Sequence, residues 1–157
     1  MKTVLVPIDF SPITRRVCTE AIALAKAIKG RVVLLHSTPP PVMVSDMGPS
    51  LENIVELTDL AQKTAGKQLA RVQKKAAQGR VTIKSVLLNG APGPLILEQA
   101  TKVRADYIVL GSHGHTAFYD LLVGSTTQQI LKHSRCPVLV VPPPQKQKAA
   151  PANKKSA

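Results

Sequence analysis

Tryptophan is absent from these 157 residues, and only two tyrosines and two phenylalanines are present. Few flat side chains therefore exist on which nucleic-acid bases could stack. Acid is scarce too, with nine Asp and Glu against 21 Lys and Arg and a net charge of +12. Part of that surplus is terminal, since residues 142–157 hold Lys146, Lys148, Lys154 and Lys155 and no acid. The rest is scattered, with small groups at Arg15/Arg16, Lys26/Lys29/Arg31, Lys63/Lys67 and Arg71/Lys74/Lys75. A scattered basic surface without aromatics argues against dedicated nucleic-acid recognition. Cysteine occurs twice, as Cys18 and Cys136, with no CxxC or metal-ligand spacing. Two reduced, packed thiols are the expectation. No apolar run approaches the roughly 20 residues a membrane-spanning helix needs. The opening Met1-Lys-Thr-Val-Leu-Val enters a strand-like pattern without the longer apolar region and cleavage site of a signal peptide. No membrane association and a cytoplasmic location are expected.

Hydrophobic residues at 44% and charged residues at 19% suit a globular domain with a proper core. Strand-like and helix-like segments alternate along it. Thr3–Ile8 reads as a buried strand, and Ser11-Pro12 then reads as an N-cap with proline at the first helical position. Val17, Ala21, Leu24, Ala25 and Ile28 form a helical apolar face closed by Gly30. Arg31–His36 is a second strand. A long helix carries apolar residues at spacings of three and four from Ile54 to Ala76 and is closed by Gly79. Val81–Leu87, Ala105–Leu110 and Pro137–Val141 are further strands, with helices from Pro94 to about Val103 and from Ser125 to about His133. Near-continuous apolar strands separated by helices predict a parallel sheet covered on both faces. Right-handed crossovers make it an open doubly wound α/β fold, Rossmann-like, with five strands ordered 3-2-1-4-5. Residues 1–142 form this single domain, and 143–157, rich in Pro, Lys and Ala, are expected to be a disordered tail. The connection 38–52 is long for such a fold and reads equally as a lid, with Met43 or Met47 over a ligand, and as a mobile surface loop.

In such a sheet, ligands bind beyond the carboxyl ends of the strands where the order reverses, here between strands one and four. Strand one ends in Pro7-Ile-Asp9, and strand four runs into Gly111-Ser-His-Gly114. Nine residues later, Gly124-Ser125 opens a helix whose N-terminus suits a phosphate. Glycine at such a junction allows a sharp turn and close approach of a ligand. Asp9 is placed to accept from a ribose hydroxyl, to orient the loop, or simply to form a turn. Ser125 and Thr126 suit phosphate contact and helix capping alike. His113 and His115, two residues apart with no Cys or carboxylate partner, are poorly spaced for a metal and better suited to a phosphate rim. Lys132, His133 and Arg135 complement the dipole at that helix's far end.

These motifs carry a resemblance. Val4-Leu-Val-Pro-Ile-Asp-Phe-Ser11, Ala105-Asp-Tyr-Ile-Val-Leu-Gly-Ser-His-Gly-His115, Leu121-Leu-Val-Gly-Ser125 and Ser134-Arg-Cys-Pro-Val-Leu-Val-Val-Pro142 resemble the universal stress protein family, over about residues 2–142. The spaced Gly-x2-Gly-x9-Gly-Ser is that family's ATP-binding signature. The resemblance implies that Pro7 and Asp9 lie by the adenosine and Ser37 by the adenine. It places Gly111, Gly114, Gly124, Ser125 and Thr126 around ribose and phosphates. Such proteins often carry an aliphatic residue where this chain has Ser37. The resemblance also implies a homodimer paired through strand 137–141, an apolar sheet edge that needs covering.

Binding is better supplied than turnover. No GxxxxGK[ST] occurs, and no Lys or Arg falls between Gly111 and Thr126 to neutralise a transferring phosphoryl group. Asp120 lies in the same loop, as a Mg2+ ligand acting through the phosphates or as a solvated acid. The expected function is binding of ATP, or of AMP or ADP, as ligand or switch in stress signalling. The alternatives are a slow ATPase or autophosphorylating enzyme, and a dimeric adaptor that needs no nucleotide.

Overall fold

A computed structural model of the chain describes residues 1–38, 51–77, 81–112 and 123–144. Residues 39–50, 78–80, 113–122 and 145–157 lie outside these. The element order is β1 (Thr3–Pro7), α1 (Thr14–Ala27), β2 (Arg31–Thr38), α2 (Leu51–Ala76), β3 (Ile83–Asn89), α3 (Pro92–Lys102), β4 (Tyr107–Gly111), α4 (Ser125–His133) and β5 (Val138–Val141). All five strands are parallel, in the order β3-β2-β1-β4-β5, as the alternation of apolar strands and helices predicts.

Strand alternation divides the core into two layers. Val4 and Val6 of β1, with Val32 and Leu34 of β2, pack beneath α1 and α2 against Val17, Ala21, Ala25 and Leu69. Leu5, Val33, Leu35, Ile108 and Leu110 face the other way, onto Ile96 of α3 and Ile130 of α4. The three inner strands β1, β2 and β4 are buried on both faces, which is why their apolar residues run nearly without interruption, whereas the edge strands β3 and β5 keep exposed positions.

The element boundaries differ from the sequence expectation where tertiary pairing decides them. Helix α1 starts at Thr14, with Ile13 as its N-cap and no side-chain cap. Ser11-Pro12 instead lies in a turn closed by the Thr14 N–H on the Ser11 carbonyl at 3.0 Å. Phe10 just before it sits at φ 63°, in the left-handed region. Strand β2 runs to Thr38 because Ser37 and Thr38 still pair with Leu88 and Asn89 of β3. The same ladder starts β3 at Ile83, two residues later than its composition suggests. The two thiols are free, Cys18 buried and Cys136 half-buried.

Candidate functional site

Because β1 and β4 are neighbours whose crossovers leave in opposite directions, a crevice opens beyond their carboxyl ends. Its volume is about 400 Å³, within the roughly 300–1,000 Å³ typical of small-molecule sites. Volume alone does not single it out, since a larger cavity of about 870 Å³ lies between α1 and α2. Position and chemistry distinguish it.

Of the sequence-selected residues, Pro7, Asp9, Ser37, Gly111, Gly124, Ser125 and Thr126 all line this one crevice. They come from four separate parts of the chain, brought together by strand order. His113, Gly114 and His115 lie outside the described residues, as does Asp120.

The floor of the crevice is tied down by backbone-directed bonds. The Asp9 carboxylate accepts from the Ser11 N–H at 3.0 Å, so this Asp does shape the turn that follows β1. His36 Nδ1 donates to the Ile8 carbonyl at 2.8 Å. A carbonyl can only accept, so Nδ1 is the donor in this contact. The imidazole lies against Phe10, with ring centroids 4.1 Å apart. This contact and the Asp9 turn together hold Phe10 in its left-handed conformation.

The wall opposite is the first turn of α4. Gly124 is its N-cap and no side chain caps it, so the N–H groups of Ser125, Thr126 and Thr127 have no carbonyl one turn earlier to donate to. Two bonds pin this turn to the end of β4: the Gly124 N–H on the Ser112 carbonyl at 2.9 Å, and Thr127 Oγ1 on the Gly111 carbonyl at 2.9 Å. Gly124 has φ −56° and ψ 150°, open to any residue. Gly90 is the glycine at positive φ among the described residues, so Gly111 is not held there by a special dihedral either. What these two glycines offer is bare backbone facing the crevice.

Thr14, His36 and Thr127 are the polar residues lining the crevice that sequence reasoning did not assign to the ligand pocket. Thr127 reads in sequence as one more helical residue, and the only hint is its place in the first turn, three after Gly124. Among the described residues, no group of three His, Cys, Asp or Glu side chains could hold a metal ion. No helix among them is long and apolar enough to cross a membrane.

Residues 1–142 match the family model of the universal stress protein family. Universal stress protein MJ0531 of Methanocaldococcus jannaschii is 33% identical over 151 residues, covering 93% of this chain and 85% of that protein. YxiE of Bacillus subtilis is 30% identical, covering 87% and 96%. Among solved structures, MJ0577 of M. jannaschii superposes with a TM-score of 0.81 at 28% identity, covering 92% of this chain and 98% of that one. A universal stress protein of Archaeoglobus fulgidus solved in complex with dAMP has a TM-score of 0.63 at 22% identity, covering 89% and 97%. A further structure, of a universal stress protein in complex with cAMP, has a TM-score of 0.66 at 23% identity, covering 89% of this chain and 95% of that one.

Proposed function

The chain belongs to the universal stress protein family, and from that premise we propose that its crevice binds an adenine nucleotide, ATP or the shorter AMP or ADP, as a held ligand or switch. The observation that carries this reading is the convergence of Pro7, Asp9, Ser37, Gly111 and the uncapped start of α4 on one crevice at the strand-order reversal. The uncapped N–H groups and the positive dipole end of α4 receive phosphate oxygens, with Ser125 and Thr126 hydroxyls beside them. Asp9 accepts from the ribose, and Ser37 lies by the adenine. The bare backbone at Gly111 and Gly124 lets the phosphates come close. Gly114, His113 and His115 complete the phosphate side, and Mg2+ enters only as a companion of those phosphates.

Two relatives of the same fold, the dAMP and cAMP complexes, support an AMP-type ligand. Holding is favoured over cleavage because no Lys or Arg lines the crevice among the described residues. The site works in the cytoplasm, in a homodimer joined along β5, whose Leu139 side chain is 42% exposed at the sheet edge.

Protein purified without added nucleotide, then denatured and chromatographed, releases an adenine nucleotide under this reading. A ligand-free protein that also fails to take up ATP, ADP or AMP would overturn it.

A further inference from the structure

The hydrogen-bond ladder between β1 and β2 stops one rung short of what its register allows. Its last register pair is Pro7–Leu35, and its last bond is the Ile8 N–H on the Leu35 carbonyl at 2.8 Å. In a parallel ladder the Ile8 carbonyl would next accept from the N–H of Ser37, two residues beyond Leu35. It accepts instead from a side chain, His36 Nδ1, at 2.8 Å. The same imidazole lies against Phe10, ring centroids 4.1 Å apart, where the chain leaves the sheet at φ 63°.

This exchange leaves the Ser37 N–H unused. Successive residues of a parallel strand point their backbone groups to opposite neighbours. Thr38 turns to β3, since its carbonyl accepts from the Gly90 N–H at 2.9 Å. Ser37 therefore turns to the side of β1, whose end has already left. Its N–H has no partner among the described residues, and Ser37 is half-buried and lines the crevice. Backbone donors in such places normally have an acceptor.

We propose that His36 is a positioning residue: its imidazole takes the place of the missing rung and so keeps the Ser37 N–H free to donate to a ligand in the crevice. The acceptor is a ring nitrogen of the base. That last step rests on the nucleotide reading, whereas the capping of Ile8 by His36 does not. Ring and donor have separate tasks. The ring packs on Phe10 at the turn, and the Nδ1 proton occupies the Ile8 carbonyl.

Two variants separate these tasks. His36→Asn keeps an N–H donor at the Nδ1 position and loses the ring, while His36→Phe keeps a ring and loses the donor. Amide hydrogen exchange of the ligand-free full chain is followed residue by residue by NMR. The Ser37 amide is expected to exchange fast in the parent and in His36→Asn. In His36→Phe it closes on the vacated Ile8 carbonyl and exchanges about tenfold or more slowly. A merely structural histidine gives the opposite, faster exchange along β1 and β2. Titration with AMP is expected to show binding weakened about tenfold in His36→Phe and kept within about threefold of the parent in His36→Asn.

A Ser37 amide already protected in the ligand-free parent overturns the proposal. So does Ser37 exchange that fails to slow in His36→Phe, AMP binding undiminished in that variant, or an Asn variant that behaves like the Phe one. A parent that binds no nucleotide defeats the nucleotide reading, and the exchange data still decide what His36 does. Should His36→Phe not fold, Ser37 exchange in the parent and in His36→Asn, with the imidazole Nδ1 proton signal, decides the matter.

Discussion

Thr127 Oγ1 donates to the Gly111 carbonyl across 2.9 Å, a bond that joins the first turn of α4 to the last residue of β4. It fixes the helix N-terminus relative to the strand end from which the glycine loop leaves. Together with the Gly124 N–H bond to the Ser112 carbonyl, it holds the two walls of the proposed phosphate site in place.

Replacing it tests the arrangement. Thr127→Val keeps the shape and leaves the half-buried Gly111 carbonyl short of a partner. A loss of about 1–3 kcal/mol in urea unfolding is expected, together with weaker nucleotide binding. Thr127→Ser restores both. A valine variant as stable as the parent contradicts the role given to the bond.

The start of β1 gives a pH prediction. Asp106 accepts from Lys2 Nζ at 2.7 Å and from the Thr3 N–H at 2.8 Å. The Lys2 hydrogen bond first, and the Thr3 N–H second, hold its carboxyl below the ordinary 3.8. Lys2 is raised above its ordinary 10.5, chiefly by the same bond. A carboxyl held low stabilises the fold above its ordinary value, and that share is lost as pH falls through the lower folded-state value. The Lys2 share is present below 10.5 and is lost as pH rises through its higher folded-state value. Unfolding midpoints of the parent and Asp106→Asn therefore differ at pH 7 and converge in acid below 3.8. A difference that persists unchanged in acid contradicts this.

Thiol chemistry separates the two cysteines. Burial alone pushes the Cys18 thiol up to about 11, and the residue is only 7% exposed. At pH 8 a disulfide reagent is expected to titrate one thiol quickly, Cys136, and the other only as the protein opens. Cys136→Ser should abolish the fast phase. A fast phase that survives in that variant places the reactive thiol at Cys18, against the burial argument.

At the sheet edge, Leu139→Asp puts a charge on the strand proposed to pair with its twin. Light scattering is expected to show a dimer for the parent and a monomer for the variant. A parent that is monomeric at all concentrations removes β5 as an interface.

The sheet order and both core layers were legible in the sequence, because a doubly covered parallel strand writes itself as an unbroken apolar run. The meeting of Asp9, Gly111 and Gly124 was legible for the same reason, since strand order alone brings them together. The start of α1 was not. Ser11-Pro12 has the local chemistry of a helix start, yet the Asp9 carboxylate and the Phe10–His36 contact shape a turn there and delay the helix to Thr14. The ends of β2 and β3 were set by their mutual register at Ser37–Leu88 and Thr38–Asn89, which composition does not encode. Thr127 stayed hidden because its partner is sixteen residues away, a contact that exists only after the strand and helix have docked.

The central claim is an adenine nucleotide in the crevice beside Gly124. Calorimetric titration of nucleotide-stripped protein with ATP and AMP tests it most directly, run beside Gly124→Val, whose backbone dihedrals tolerate a side chain. The account predicts one site per chain, lost in the variant while its thermal midpoint stays near the parent's. Absence of binding by the parent, or undiminished binding by a folded Gly124→Val, would contradict it.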